Sequence, residues 1–206
     1  RAIPFTSLTN ASAPPTAALQ IMVSDIDRHI ICFGANAIGE STVDPLFVRW
    51  SDQESSIDWT PTSTNTAGGT RLSSGSTIIG ALKTRQEILI WTDSGVHSMQ
   101  YSGAPFIFSF AEIMQGPSMI SPKAAINADN KVFFMDRGSF YVYTGSVQTL
   151  PCAVQDYIFS DINLGQAFKV YGLSNVDQNE IMWFYPSANS DEINRYVIFN
   201  YLENLW

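Results

Sequence analysis

A chain of 206 residues with 45% apolar, 13% aromatic and only 15% charged residues has the composition of an ordered, well-packed protein and not of a disordered tail. Its net charge of −8 gains nothing from counterion release on a polyphosphate, which argues against tight or sequence-specific nucleic-acid binding while leaving room for a wall that DNA slides past. No apolar run is long enough to cross a bilayer, and the first residues lack the basic start and continuous apolar core of a signal peptide.

Residues 1–18, RAIPFTSLTNASAPPTAA, are rich in Pro, Thr, Ser and Ala and carry no charge after Arg1, which predicts an extended arm or linker. From residue 19 onward, many short strands with abundant Gly and Ser and few Lys and Glu predict an all-β chain. A first unit over 19–69 begins with LQIMVSD (19–25) and HIICFG (29–34) flanking the charged turn Asp25-Ile26-Asp27-Arg28, and continues through PLFVRW (45–50). Pro45 opens that strand, where no ladder donor is needed. The longest polar loop, SDQESSIDWTPTSTNTAGG (51–69), follows, and its Trp59 is expected to dock on a neighbouring blade.

A second unit over 76–112 has predicted strands at 77–83, 87–92, 96–101 and 106–110, the last with Phe106, Phe108 and Phe110 alternating into one aromatic face. A third over 118–149 has strands at 123–127, 131–136, 139–143 and 147–150. These two units share a motif: EILIWTDSGVHSMQY (87–101) returns as KVFFMDRGSFYVY (131–143). Each copy is an apolar strand, an Asp-x-Gly turn and a second strand, and the chemistry predicts a three-residue hairpin with Gly95 and Gly138 in the left-handed position. Residues 88–91 and 132–135 are nearly uninterrupted apolar runs, as for strands covered on both faces. The mixed strands after the turns read as nearer an edge or surface. The two turns stand roughly 43 residues apart, a period typical of propeller blades of about four antiparallel strands.

PCAVQDYIFSDIN (151–163) is the one predicted helix, with Pro151 suited to its first position and Val154, Tyr157 and Ile158 at helical spacing; it reads as a short connector packed on the propeller rim. A fourth unit over 167–206 has strands at 167–174, 180–185 and 194–201, with its tip enlarged to PSANSDE (186–192). Insertions at such tips cost little loop-closure entropy and are where binding functions are added. The expectation is a β-propeller or partial propeller of about four blade-like antiparallel sheets. A closed propeller of the usual blade number needs more residues than this, so a fragment of a longer polypeptide is expected, or a chain whose first and last segments pair with each other or with a neighbour.

Chemistry is sparse. His29 and His97 have no Asp, Ser or Cys partner at motif spacing, and Cys32 and Cys152 stand far apart with no CxxC, reading as free thiols. No GxSxG, phosphate-binding loop, HExxH or EF-hand is present, so no catalytic residue, cofactor or metal is expected. Asp52, Glu54 and Asp58 cluster in the long loop, and Asp191 and Glu192 in the fourth tip. A pair of such acids could hydrolyse a glycosidic bond, but the arginines stand singly and offer no cluster for a sialic-acid carboxylate. FVRWSDQESSIDWTP (47–61) matches a sialidase-type Asp-box only weakly. Trp50, Trp59, Trp91, Trp183 and Trp206 could stack on glycans, but Trp91 and Trp183 lie in apolar strands and read as core.

Four segments, RWSDQESSIDWTPTSTNTAG (49–68), LSSGSTIIGALKTRQEILIWTDSGVHSMQY (72–101), MDRGSFYVYTGSVQTLPC (135–152) and WFYPSANSDEINRYVIFNYLENLW (183–206), together resemble the tail-nozzle, tail-tube or packaged-DNA-stabilisation proteins of short-tailed double-stranded DNA bacteriophages. The resemblance covers about three quarters of the chain. It implies a β-propeller virion protein of the phage tail, forming a ring of identical copies, six in number, at the distal end of the portal and adaptor, with a channel for the genome. It also makes the enlarged loops, with Asp52, Glu54, Asp58 and Trp59 in one and Pro186, Asn189, Asp191 and Glu192 in the other, candidates for contacts with neighbouring subunits, the adaptor or tail fibres. The alternatives are a carbohydrate- or receptor-binding propeller and, after that, a glycoside hydrolase.

Overall fold

The computed structural model describes residues 7, 8, 10–25 and 27–206. The chain divides into two units, Arg1–Glu112 and Ile113–Trp206, and it is all-β, with four antiparallel sheets that are each a meander of sequence neighbours.

In the first unit β1 (Gln20–Val23), β2 (Ile30–Phe33), β3 (Phe47–Trp50) and β4 (Gly68–Arg71) form one sheet. The end of the long polar loop is therefore a strand, and the loop proper is residues 51–67. The second sheet holds β5 (Ile78–Lys83), β6 (Ile88–Thr92), β7 (Gly95–Tyr101) and β8 (Phe108–Gln115), the last of which runs across the division between the units. Period-two alternation packs the two sheets on each other: Ile31, Phe33, Val48 and Trp50 of the first meet Ile78, Ala81, Ile88, Ile90, Met99 and Phe108 of the second in one buried cluster. Every residue of β6 is buried, as its apolar run requires.

In the second unit β9 (Ala125–Ala128), β10 (Lys131–Met135), β11 (Phe140–Tyr143) and β12 (Val147–Leu150) form the third sheet. The fourth has three strands, β13 (Tyr171–Asn175), β14 (Glu180–Tyr185) and β15 (Arg195–Asn200). β14 buries Ile181, Trp183 and Tyr185 and leaves Glu180, Met182 and Phe184 half-buried on its other side. The buried side packs on the third sheet: the Phe133 and Phe199 rings lie 5.9 Å apart, Phe140 and Trp183 4.9 Å apart, and Trp183 Nε1–H donates to the Ala124 carbonyl at 2.9 Å. Trp206 completes this cluster, 4.6 Å from Phe140 and 4.8 Å from Phe199, its Nε1–H donating to the Pro151 carbonyl.

Several expectations are corrected. Gly95 and Gly138 are not among the residues with positive φ; the Asp-x-Gly turns owe their position to the aspartate, not to a left-handed glycine. Asp93 reaches back to the start of its own sheet, accepting the Ser76 N–H at 2.7 Å and the Thr77 N–H at 3.3 Å. Asp136 accepts backbone N–H groups of Arg137 and Ser118. Beside Asp93 the glycine with positive φ is Gly75 (φ +97°), where a Cβ would stand 2.8 Å from Asp93 Oδ1. β7 and β11 lie inside their sheets, not at an edge, and β7 is buried from Gly95 to Met99. Phe106 precedes β8 and is exposed, so the aromatic face is carried by Phe108 and the half-buried Phe110. The helix, α1 (Gln155–Asp161), starts four residues after Pro151, and its buried side chain is Ile158, while Tyr157 is exposed. Residues 164–169 form 3-10 turns where the fourth unit's first strand was expected to begin.

Residues 10–18 hold fixed contacts within the first unit, with a parallel bridge from Ser12 to Asp58 and the Thr16 N–H donating to Asn36 Oδ1 at 2.8 Å. The part of the expected arm at 1–6 and 9, and Ile26 of the charged turn, lie outside the described residues.

The contact between the third and fourth sheets leaves no room at Gly172, where a Cβ would stand 2.1 Å from Ile126 Cδ1 and 3.2 Å from Trp183 Cδ1. Gly172→Ala is expected to cost about 1–3 kcal/mol through overpacking, and Ile126→Val in the same chain to recover part of it; urea unfolding of the single and double variants checks this.

Candidate functional site

The loop 51–67 is built by its own polar side chains. The Asp52 N–H donates to the Asp58 carbonyl at 2.7 Å, closing the loop on itself, and Asp58 Oδ2 accepts the Ser55 hydroxyl at 2.7 Å. Trp59 does not dock on a neighbouring sheet. It is fully buried against Cys32 and Ala35 of its own sheet, with Ala18 and Ile30 packed alongside, and its Nε1–H is satisfied by the Ser56 carbonyl. The loop is thus a lid on the outer face of the first sheet, and Trp59 offers no ring face to a glycan or a partner. Glu54, exposed and at φ +56°, pairs with Arg28 at 2.6 Å; a solvated pair of this kind contributes little stability.

Beneath the lid lies a buried polar chain that the spacing argument missed. His29 is fully buried, and its Nδ1 is 2.6 Å from Asp27 Oδ2. Its Nε2 is 2.8 Å from Thr66 Oγ1, and Thr66 Oγ1 is in turn 2.6 Å from Asp52 Oδ1. The expectation that His29 lacks an acidic or hydroxyl partner is therefore wrong. Asp27 stands two residues before it, the one signal the sequence offered, whereas Thr66 arrives from 37 residues away. Carboxylate, imidazole and hydroxyl in line have the order of an acyl-transfer triad, but the hydroxyl has one proton, and Asp52 takes it. The Gln53 N–H also donates to Thr66 Oγ1 at 3.0 Å. The group is a fastener, holding both ends of the lid to the turn before β2. Burial pushes the Asp52 carboxyl up, but the Thr66 and Gln53 hydrogen bonds and the nearby imidazole outweigh it and hold Asp52 below its usual value. That is the opposite of what a glycosidic general acid needs.

A second hydroxyl-bridged histidine lies in the same unit. His97, also buried, has Nε2 3.1 Å from Ser74 Oγ, whose hydroxyl donates to Glu112 Oε1 at 2.6 Å. Burial lowers the His97 pKa, and the Glu112 charge opposes this only in part.

Arg49, on β3 opposite Cys32, was read as one of the scattered cations, yet its side chain is fully buried. The guanidinium donates to the Ala13 carbonyl and, at 3.4 Å, to that of Trp59, while Nε has no partner. It ties residue 13 and the lid to the sheet. Burial pushes the Cys32 thiol up to about 12, the Arg49 charge pulling weakly the other way, so this free cysteine is inert. Cys152 is also free and half-buried.

The tip of the fourth sheet is simpler. Pro186 is buried and its carbonyl accepts the Asn163 N–H at 2.9 Å, while Asn189, Asp191 and Glu192 are exposed. Lys169 Nζ bridges the Asp191 carbonyl and Glu192 Oε1 at 2.5 and 2.9 Å, and Gln166 donates to Asp191 Oδ1 at 3.3 Å. Among the described residues no group of three or more His, Cys, Asp or Glu is placed to hold a metal ion, and no helix is long and apolar enough to cross a membrane. No family model and no curated protein sequence matches the chain.

Two outcomes test this site. Thr66→Val keeps the shape and removes the hydroxyl, leaving His29 Nε2 and the Gln53 N–H without their partner while Asp52 Oδ1 keeps the Thr66 N–H; it is expected to cost about 1–3 kcal/mol in chemical unfolding, with Thr66→Ser near wild type. For His97, the folded pKa lies below the unfolded one, so between about pH 6.5 and the depressed value the unfolded chain binds more protons. Stability is then complete above the unfolded pKa and falls as pH drops, by at most about 1.4 kcal/mol per pH unit. His97→Gln is expected to flatten that limb in a pH series of unfolding midpoints.

Proposed function

We propose that the chain is a structural component of a bacteriophage tail, part of a nozzle or tube ring of identical copies, six in number, through which the genome is retained and ejected. The observation that carries this reading is where the four resembling segments fall. One lies in each sheet: 49–68 on β3 and the lid, 72–101 on β5 to β7, 135–152 on β10 to β12, and 183–206 on β14 and β15. The resemblance therefore follows the repeat of the fold and is not confined to one local motif.

The net charge of −8 supports it physically, since a wall of the same sign as the phosphates does not retain them and lets DNA pass. The exposed Glu54 in the lid, and Asn189, Asp191 and Glu192 in the fourth tip, are the side chains available there to neighbouring subunits, the adaptor or tail fibres.

Imaging of intact phage particles that carry this chain tests the proposal. The expected result is a symmetric ring of copies around a channel at the tail; a chain absent from the particle, or present as an isolated monomer, overturns it. Deleting residues 187–193 is expected to lower infectivity by impairing assembly, measured by plaque titre and particle counts.

A further inference from the structure

The buried chain beneath the lid needs one proton more than a neutral histidine supplies. A threonine hydroxyl has one proton and two lone pairs, and Thr66 Oγ1 has three partners: Asp52 Oδ1 at 2.6 Å, the Gln53 N–H at 3.0 Å and His29 Nε2 at 2.8 Å. Asp52 Oδ1 also accepts the Thr66 N–H at 2.8 Å. Burial raises the Asp52 carboxyl, but the hydrogen bonds from Thr66 and Gln53 and the nearby imidazole outweigh it, so Asp52 is ionised and takes the hydroxyl proton. Two lone pairs of Thr66 Oγ1 remain, one for the Gln53 N–H and one for His29. Nε2 is therefore a donor.

That fixes the other side of the ring. Nδ1 lies 2.6 Å from Asp27 Oδ2, a distance with no space for water, and His29 is fully buried while Asp27 is 4% exposed. With its single proton on Nε2, a neutral imidazole would turn the bare lone pair of Nδ1 onto a carboxylate oxygen. The contact needs a second proton. Nitrogen is the stronger base of the two, with ordinary values of about 6.5 for an imidazole and about 3.9 for an aspartate, so that proton sits on Nδ1 and Asp27 carries its charge.

We infer that His29 is a buried imidazolium, donating from Nδ1 to Asp27 and from Nε2 to Thr66, and that its second proton is a latch on the lid which alkali releases.

The groups around the pair agree with this charge. Asp52 stands on the lid side; Glu54 there is paired with Arg28, and Asp25 at the start of the turn is paired with Lys83. From the second sheet two rings pack on the imidazole, Phe108 edge-on at 5.2 Å and Tyr101 at 6.1 Å. Loss of the proton sets two lone pairs against each other in a buried site. Moving the ring relieves this, but it gives up Thr66 and loosens the loop that buries Trp59 against Cys32. The stability that the proton contributes is thus present at lower pH and lost as pH rises.

Asp27→Asn separates the latch from a merely structural bond. Its amide N–H can donate to Nδ1 of a neutral ring while Nε2–H still donates to Thr66, so every bond is made with one proton fewer. The first measurement is nuclear magnetic resonance of the ring nitrogens in the full 206-residue chain at about pH 8, where an ordinary imidazole is neutral. His29 is expected to carry protons on both nitrogens in wild type and on Nε2 alone in Asp27→Asn. His97, whose pKa burial lowers, is expected to be neutral in both. A neutral His29 in the wild type overturns the inference, and that spectrum decides even if Asp27→Asn fails to fold. The second measurement is alkylation of Cys32, mapped by peptide mass, as a reporter of lid opening. The ratio of wild-type to Asp27→Asn rates at each pH cancels the titration of the thiol itself. It is expected to climb with pH, by up to about tenfold per unit while the closed lid holds the proton and the open one does not. A ratio that stays level overturns the latch.

Discussion

A β-sheet made of strands like ILIWT and KVFFM has two faces to keep from water, and that constraint governs the remainder of this chain. One face of each sheet is covered by a neighbouring sheet of the same unit, the first by the second and the third by the fourth. The opposite face of the first sheet is covered differently, by a loop that carries a tryptophan. The opposite face of the fourth is left apolar and partly open. Burial follows these assignments: β6 is buried at every position, whereas in β15 Val197 and Phe199 are buried, Tyr196 is exposed and Ile198 half-buried.

Covering a sheet face with a loop brings polar backbone indoors, and each polar group taken from water has to be satisfied. The lid meets this requirement with side chains that serve several partners at once. Thr66 Oγ1 meets His29, Asp52 and the Gln53 N–H, and Ser12 Oγ accepts the Trp59 N–H while donating to the Ile57 carbonyl. Arg49 does the same from below, spending a buried charge on backbone carbonyls. The aspartates of the repeated turns act likewise in the second and third sheets. Their ionisation diverges with exposure: hydrogen bonds from Ser76 hold Asp93 below its ordinary value, whereas burial pushes Asp136 above it despite comparable donors.

Much of the strand layout was legible because alternation and turn chemistry act over short distances. The third sheet matches its expected strands to within two residues, and β14 coincides with the expected 180–185. The misreadings arose where a distant residue decides the outcome. Pro151 looks like a helix start, yet the helix forms only from Gln155, around Ile158. Asp-x-Gly looks like a local hairpin signal, yet Asp93 is fixed by Gly75 and Ser76. Of the site, the two loops were visible as polar insertions, but their interiors were not. Nothing near His29 announces Thr66, and nothing near Trp59 says that it turns inward onto Cys32.

The meander of each sheet also bears on the order in which the molecule can be built. Every strand pairs with its neighbour in sequence, so most pairing closes short stretches of chain, the kind of contact that forms fast. The lid is the exception. Its bridge from Ser12 to Asp58 encloses β1 to β3, and its link from His29 to Thr66 encloses β2 and β3. During synthesis, Thr16 can meet Asn36 early, whereas Ser12 gains its contacts with Ile57 and Trp59 only once that part of the lid has emerged. Ser12 is therefore made well before the groups that hold it.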